Sequence, residues 1–276
     1  MRRVVRASLD IVLPRRCLHC GVLRTDARVP DRDLGLCEEC SARLRRVQRP
    51  TCLGCGVEVA RFAASGRHCA ACRDRSSSLD ALWWTWRYAE PFDAVVQALK
   101  FRRLDYLGKA LARQMATEKD EIRRAAATAT GPAEMADPSQ VDVVTHVPLH
   151  WRRRAVRGFD QAEAIARPLA SALDLPFESL LRRRRATAPQ SRRPRRRQRS
   201  ELRSAFVAPR PGRCAGRAIL LVDDVLTTGS TLDDAARALR AAGARAVVAW
   251  VAARTPGPDE LEPPRVGDHT PDASSV

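Results

Sequence analysis

Apolar residues recur along this chain in two rhythms. Apolar-rich stretches of strand length occupy 81–88, 141–148, 218–222 and 246–252, the last two of them unbroken, and 177–181 is strand-like. Runs without polar alternation predict strands covered on both faces, as in a parallel sheet. Between them the spacing turns helical. Pro91 opens one such segment, whose apolar face is Val95, Val96, Leu99 and Phe101. A second begins near Asp105 and sets Leu107, Leu111 and Met115 on one stripe. A third follows Gly158, with Ala162, Ile165, Ala166 and Leu169, and carries Pro168, which predicts a kink. A fourth starts at Leu232. Strands alternating with helices predict an α/β fold with a mostly parallel sheet and flanking helices. The Ala/Thr/Gly/Pro stretch 125–140 reads as a surface loop. The tryptophans of 81–88 read as core or inter-domain packing rather than a base-stacking surface.

Ahead of residue 79 the chain is organised by cysteines. Eight of the nine form Cys-x-x-Cys pairs: Cys17/Cys20, Cys37/Cys40, Cys52/Cys55 and Cys69/Cys72. Each pair sets two thiolates on one tight knuckle, and two knuckles supply the four tetrahedral ligands of a structural zinc. The simplest pairing is sequential, Cys17, Cys20, Cys37 and Cys40 on one ion and Cys52, Cys55, Cys69 and Cys72 on a second; a cross-braced pairing is the alternative. The short apolar run after Met1 is broken by Arg6 and Asp10, so no export signal is expected. A cytoplasmic chain keeps thiols reduced, which favours zinc over a disulfide framework or an iron–sulfur cluster. His19 and His68 each flank a pair and are read as solvated. Cys214, far from the pairs, is read as a buried, inert thiol. The polar stretch around 73–78 predicts a linker, which divides the chain into a double zinc ribbon at 1–78, an α/β unit at 79–254 and a disordered tail at 255–276. Loss of Cys17 and Cys20 is expected to unfold the first unit and spare the second.

The chain has 276 residues, with 49 Lys and Arg against 32 Asp and Glu, a formal charge of +17. No window is long and apolar enough to span a membrane. The charge favours anionic partners such as phosphorylated metabolites or nucleic acid. Most of the excess is arginine, part of which a biased coding composition accounts for.

The candidate chemistry lies where the run 218–222 ends. Asp223 and Asp224 stand at its carboxyl end, followed by Thr227, Thr228, Gly229, Ser230 and Thr231 and then a helical segment. A polar loop leading into a helix N-terminus is an anion site, and ligands of open α/β sheets bind at the carboxyl ends of strands. There is no Gly-Lys-Ser/Thr, so this is no Walker loop, and the dinucleotide Gly spacing is also missing. Paired carboxylates beside a phosphate cradle suit a ribose 5-phosphate.

This stretch resembles the phosphoribosyl-pyrophosphate (PRPP) loop of type I phosphoribosyltransferases. The resemblance implies that Asp223 and Asp224 hold ribose hydroxyls and that Thr227 to Thr231 wrap the 5-phosphate. Three further stretches narrow it: Ala98-Leu99-Lys100-Phe101; Val147-Pro148-Leu149-His150 with Trp151-Arg152-Arg153-Arg154 and Arg157-Gly158-Phe159-Asp160-Gln161; and Arg185-Ala186-Thr187-Ala188-Pro189-Gln190 leading to Ser204-Ala205-Phe206. With the Cys pairs they resemble the ComF/ComFC family of competence-associated proteins, which joins a zinc ribbon to a phosphoribosyltransferase-like domain. That resemblance implies a cytoplasmic protein taking PRPP with Mg²⁺ and two structural Zn²⁺. It implies diphosphate contacts at Lys100, His150 and Arg152. It also implies single-stranded DNA and competence-machinery proteins as partners. Two positions depart from the family pattern: Asp160 stands where an Asn is usual, and Glu201 lies near the place of another. The Arg-rich run 182–203 corresponds to the superfamily's hood over the active site, and also suits a nucleic-acid backbone. Three readings stay open: a phosphoribosyl transferase acting on a nitrogen nucleophile, a non-catalytic protein binding single-stranded DNA and PRPP, and a PRPP sensor.

Overall fold

The computed structural model describes residues 16–24, 33–59, 68–73, 77–102, 104, 106–127, 138–149, 158–184, 205–257 and 260. After two short helices in the cysteine region, α1 (Glu38–Ala42) and α2 (Ala70–Arg73), come β1 (Ala81–Arg87), α3 (Phe92–Phe101), α4 (Tyr106–Ala116) and α5 (Lys119–Ala127). β2 (Val143–His146), α6 (Gln161–Ala172), β3 (Arg182–Arg183), β4 (Phe206–Val207), β5 (Ala218–Leu226), α7 (Ser230–Ala241) and β6 (Ala246–Arg254) complete the order. The main sheet has four strands in the order β1-β6-β5-β2, all parallel.

Both faces of this sheet are covered, as the unbroken apolar runs require. Leu220, Val222, Val248 and Trp250 pack on one side with α3, α4 and α6. Ile219, Leu221, Val247, Ala249 and Val251 pack on the other with α7. The predicted stripe Leu107, Leu111 and Met115 is fully buried on α4, and Ile165, Ala166 and Leu169 are buried on α6. Pro168 lies inside α6 without ending it. Trp83, Trp84 and Trp86 are all core residues; Trp83 meets Trp250 edge-on at 5.7 Å and Trp86 stacks on Phe92 at 4.8 Å.

Four expectations change. Phe101 is 65% exposed and leaves the apolar face of α3, because it sits on the helix's last turn beyond the layer Leu99 reaches. Segment 177–181 forms no strand; it joins β2 through the bridge of Val144 to Phe177, with Leu180 N–H donating to Thr145 Oγ1 at 3.2 Å. α5 runs into the stretch read as a loop, its residue Ile122 buried in the core. The motif strand continues through both carboxylates to Leu226.

The cysteine region does not stand apart. Between its two halves the chain runs along the outer edge of β1: Val47 N–H donates to Thr85 O at 2.9 Å and Arg87 N–H to Arg45 O at 2.8 Å. An otherwise open sheet edge is thereby capped. Arg49 forms a buried ion pair with Glu118 at 3.0 Å, and burial still pushes the Glu118 carboxyl up against the pull of Arg49 and Arg46. Cys17, Leu34, Leu36 and Cys40 belong to the same core cluster as α3 and α4. The first half of the cysteine region is thus part of the main core.

Candidate functional site

The sulfur atoms gather in two groups of four, Cys17, Cys20, Cys37 and Cys40, and Cys52, Cys55, Cys69 and Cys72, each with all members within 4.8 Å. The pairing is sequential. Cys20 Sγ and Cys37 Sγ are 3.7 Å apart, as are Cys55 Sγ and Cys69 Sγ. Four sulfurs at about 2.3 Å around a tetrahedral zinc stand about 3.7–3.8 Å from one another. The sulfurs make no disulfide, and among the described residues no histidine joins either group. The titration pattern fits a dication. A hydrogen bond from Cys55 pulls the Cys52 thiol down to about 4, the same contact pushes Cys55 up, and burial pushes Cys72 up to about 11. In the first group burial opposes ionisation of Cys17, yet backbone N–H groups of Cys37, Cys20 and His19 draw it down to about 6; burial pushes Cys40 up. Each group thus favours one thiolate, while burial opposes ionisation of Cys40 and Cys72 until a cation balances the charge.

The second centre is at the carboxyl end of β5. Asp223 and Asp224 lie in the last turns of the strand, both partly buried. Each carboxylate accepts a backbone N–H just ahead: Asp224 N–H to Asp223 Oδ1 at 2.8 Å, and Val225 N–H to Asp224 Oδ1 at 2.7 Å. Lys100, on the last turn of α3, sets its Nζ 2.9 Å from Asp224 Oδ2. Burial and the Asp224 charge hold the Asp223 carboxyl well above the usual carboxylate range; Asp160 adds to this, while the Asp224 N–H and Lys100 oppose it. A strongly perturbed carboxyl at a strand end, as at Asp223, makes this a candidate site.

The loop beyond β5 presents its hydroxyls outward. Thr227, Thr228, Ser230 and Thr231 are exposed, and Thr228 Oγ1 and Ser230 Oγ are 3.0 Å apart. Gly229 has φ 77° at the N-cap of α7. A left-handed backbone there turns the chain sharply into the helix, and a side chain would be strained. Having no side chain, Gly229 leaves the positive end of a twelve-residue helix open to an anion.

Asp160 has a different role from the one its place in the motif suggests. It is 3% exposed and caps α6, its Oδ1 accepting from Ala162 N–H and Glu163 N–H. Its Oδ2 accepts from Leu149 N–H at 2.7 Å. The carboxylate thus pins the start of the loop that leaves β2. The sequence carried a signal for this, an Asp followed three residues later by Glu at a helix start. His150 and Arg152 of that loop lie outside the described residues, as do 185–204 of the Arg-rich run and all but 255–257 and 260 of the tail. The two ends of the run are held together: Arg184 N–H donates to Ala205 O at 2.8 Å, and Ala205 N–H to Asp234 on α7 at 2.9 Å.

A cavity of about 260 Å³ separates the Thr227–Thr231 loop from the second cysteine knuckle, with Cys55, Cys72, Leu79, Leu226, Thr228 and Asp233 among its walls. His68 lines it as well, and the carboxylates Asp223 and Asp224 do not. Arg254, which no local pattern singles out, borders this cavity and donates to the Cys55 carbonyl.

Residues 8–73 match the double zinc ribbon domain, and residues 160–268 match the phosphoribosyl transferase domain. Competence protein F of Haemophilus influenzae is 29% identical over 241 residues, covering 87% of this chain and 96% of that protein. DNA utilization protein YhgH of Escherichia coli K12 is 32% identical over 222 residues, covering 80% of this chain and 91% of that protein. Among solved structures, the glutamine PRPP amidotransferase from B. subtilis complexed with ADP and GMP superposes with a TM-score of 0.32 at 23% identity. That match spans 51% of this chain and 26% of the other, at a score too low to carry weight. Among the described residues no helix is long and apolar enough to cross a membrane.

Proposed function

The chain belongs to the family of competence protein F and DNA utilization protein YhgH, and on that premise we propose that it binds PRPP at the end of β5 and serves the use of incoming DNA. One observation supports the ligand reading above the others: Lys100 Nζ lies 2.9 Å from Asp224 Oδ2. It brings the Ala98–Phe101 segment to the carboxylate pair, so that a cation stands where an anionic leaving group would meet the ribose.

The division of labour follows the charges. Thr227 to Thr231 and the α7 N-terminus receive the 5-phosphate. Asp223 and Asp224 accept hydrogen bonds from the ribose hydroxyls. Lys100 turns from Asp224 to the Mg²⁺-diphosphate, aided by His150 and Arg152. As diphosphate departs from C1 the ribose ring becomes cationic, and the two carboxylates below it lower that charge's energy. Transfer to a nitrogen nucleophile then rests on positioning and electrostatics. Two zinc ions hold the ribbon and do not enter this step.

A second reading, a non-catalytic protein for single-stranded DNA and PRPP, draws on the charge of +17 and on the relatives' names. One experiment separates the two: diphosphate release from Mg²⁺-PRPP, with and without candidate bases and single-stranded DNA. Release that requires one base establishes transfer. Calorimetric PRPP binding without release favours the second reading, and no binding at all overturns both.

A further inference from the structure

The second cysteine knuckle reaches the phosphate loop through one side chain. Arg254 ends β6, where it is the register partner of Leu226, the last residue of β5 before the loop. Its Nε–H donates to the carbonyl of Cys55 at 2.9 Å. Its guanidinium also bonds Glu260 and lies 5.9 Å from the centre of the Trp84 ring. Only 12% of the side chain is exposed. The next residue completes the link, since Thr255 N–H donates to Leu226 O at 2.9 Å. A continuous path therefore runs from a sulfur-bearing residue, Cys55, through Arg254 and Thr255 to Leu226, the strand residue from which the loop departs.

The knuckle is fixed from its other side as well. Trp84 Nε1–H donates to Gly56 O at 2.6 Å. Gly56 has φ 74°, and a Cβ there would come within 2.9 Å of Trp84 Cδ1 and 3.2 Å of Arg254 Cδ. So the backbone of the knuckle is pressed against both side chains. The loop itself has little behind it, because the cavity of about 260 Å³ intervenes. A loop of hydroxyl-bearing residues over a cavity needs its ends held if its N–H groups are to meet a phosphate in one geometry.

We infer that Arg254 is a positioning residue that makes the second cysteine knuckle part of the phosphate-binding site, holding the Leu226–Thr227 end of the loop in register. The inference rests on the PRPP reading. It deepens that reading by assigning the second metal group a task at the ligand's 5-phosphate end, and none at the diphosphate end where Lys100 stands.

The test uses the full-length, zinc-loaded protein and two separate probes, ribose 5-phosphate and Mg²⁺-diphosphate, each measured by calorimetry. Arg254→Gln is expected to keep its zinc and its cooperative melt. It should weaken ribose 5-phosphate by about tenfold, as for loss of one charge-assisted hydrogen bond. Mg²⁺-diphosphate affinity should stay unchanged, which a general loosening of the fold would not produce. Should Arg254→Gln fail to fold, Trp84→Phe keeps an aromatic side chain there while removing the bond to Gly56 O and part of the buried indole volume. It is expected to show the same selective loss, in smaller measure. A folded variant with unaltered ribose 5-phosphate affinity, or with equal losses for both probes, overturns the inference and leaves the PRPP reading standing. Wild-type protein that binds neither probe overturns both together.

Discussion

The knuckles at Cys17–Gly21 and Cys52–Gly56 close in the same way. In each, the first cysteine's N–H donates to a carbonyl five residues on, and the glycine's N–H returns to that cysteine's carbonyl, at 2.8 and 3.0 Å in one and 2.8 and 2.8 Å in the other. Their glycines have φ of 75° and 74°. Their surroundings differ. The first group sends Cys17 and Cys40, with Leu34 and Leu36, into the core beside α3 and α4. The second lies over Trp84 and Arg254 at the carboxyl edge of the sheet, across a cavity from the Thr227–Thr231 loop. One backbone unit thus meets two surroundings: the first packs in the main core, the second borders the candidate site. What a metal centre does is set by what packs on it, and the ligand spacing is silent on that.

The largest expected effect separates the two groups by stability. A structural zinc is worth about 10–16 kcal/mol in isolated finger peptides, against about 5–15 kcal/mol for a whole domain. Cys17→Ser with Cys20→Ser is expected to abolish the cooperative melt of the entire chain. Cys52→Ser with Cys55→Ser should lower the midpoint and keep one transition. Circular dichroism melts paired with elemental zinc analysis check this, and equal losses would erase the distinction.

A comparison of ligand effects comes next. Changing Asp223 and Asp224 together to Ala removes acceptors for two ribose hydroxyls, at about 1–3 kcal/mol each. PRPP affinity should fall roughly tenfold to a hundredfold per residue, while both zinc ions and the melt remain. If this variant loses zinc, the site and the second knuckle are one stability unit and the contrast drawn above fails.

Lys100→Met is expected to act at the opposite end from Arg254. It removes a cation facing the leaving group, so Mg²⁺-diphosphate should weaken by about tenfold and ribose 5-phosphate much less. Calorimetry with the two probes reads the split directly, and a loss shared by both would place Lys100 outside the diphosphate subsite.

The smallest effect concerns pH. Because the Asp223 carboxyl is held above its ordinary range, the folded chain keeps a proton that the unfolded chain has already released. Stability therefore falls as pH rises from the ordinary carboxylate value through the raised one, and the whole loss is present above it. Asp223→Asn removes that penalty. Its melting midpoint should exceed wild type by about 2–4 °C at neutral pH, with no gain below about pH 4, where both states of the wild type are protonated. A gain at both pH values would point to packing instead of charge.

Much of this was legible in residue order. The unbroken apolar runs gave the parallel strands, because strands covered on both faces have no polar alternation to show. The Cys-x-x-Cys spacing gave the two groups of four, because two residues between cysteines close one knuckle. Asp223 through Thr231 gave the loop, because strand, Gly and helix start are contiguous there. Misreadings fell where the order of residues was uninformative. Phe101 fits the helical rhythm of α3, yet the core ends two residues earlier, at Leu99. Asp160 was noted only as a departure from the family pattern, although its near neighbours mark it as a cap.

Sequence by itself determined the parts: which segments become strands and helices, which cysteines make each knuckle, and where an anion loop lies. These depend on contacts within about a dozen residues, or on spacing that any backbone must obey. Tertiary structure alone decided how the parts are joined. It put Lys100 on Asp224, the 45–47 segment on the β1 edge, the first knuckle in the core, and Arg254 against a carbonyl 199 positions away. Such pairings leave no periodicity or motif in the chain. They exist because a parallel sheet brings the ends of strands distant in sequence to one edge, and only the packed fold sets which ends meet.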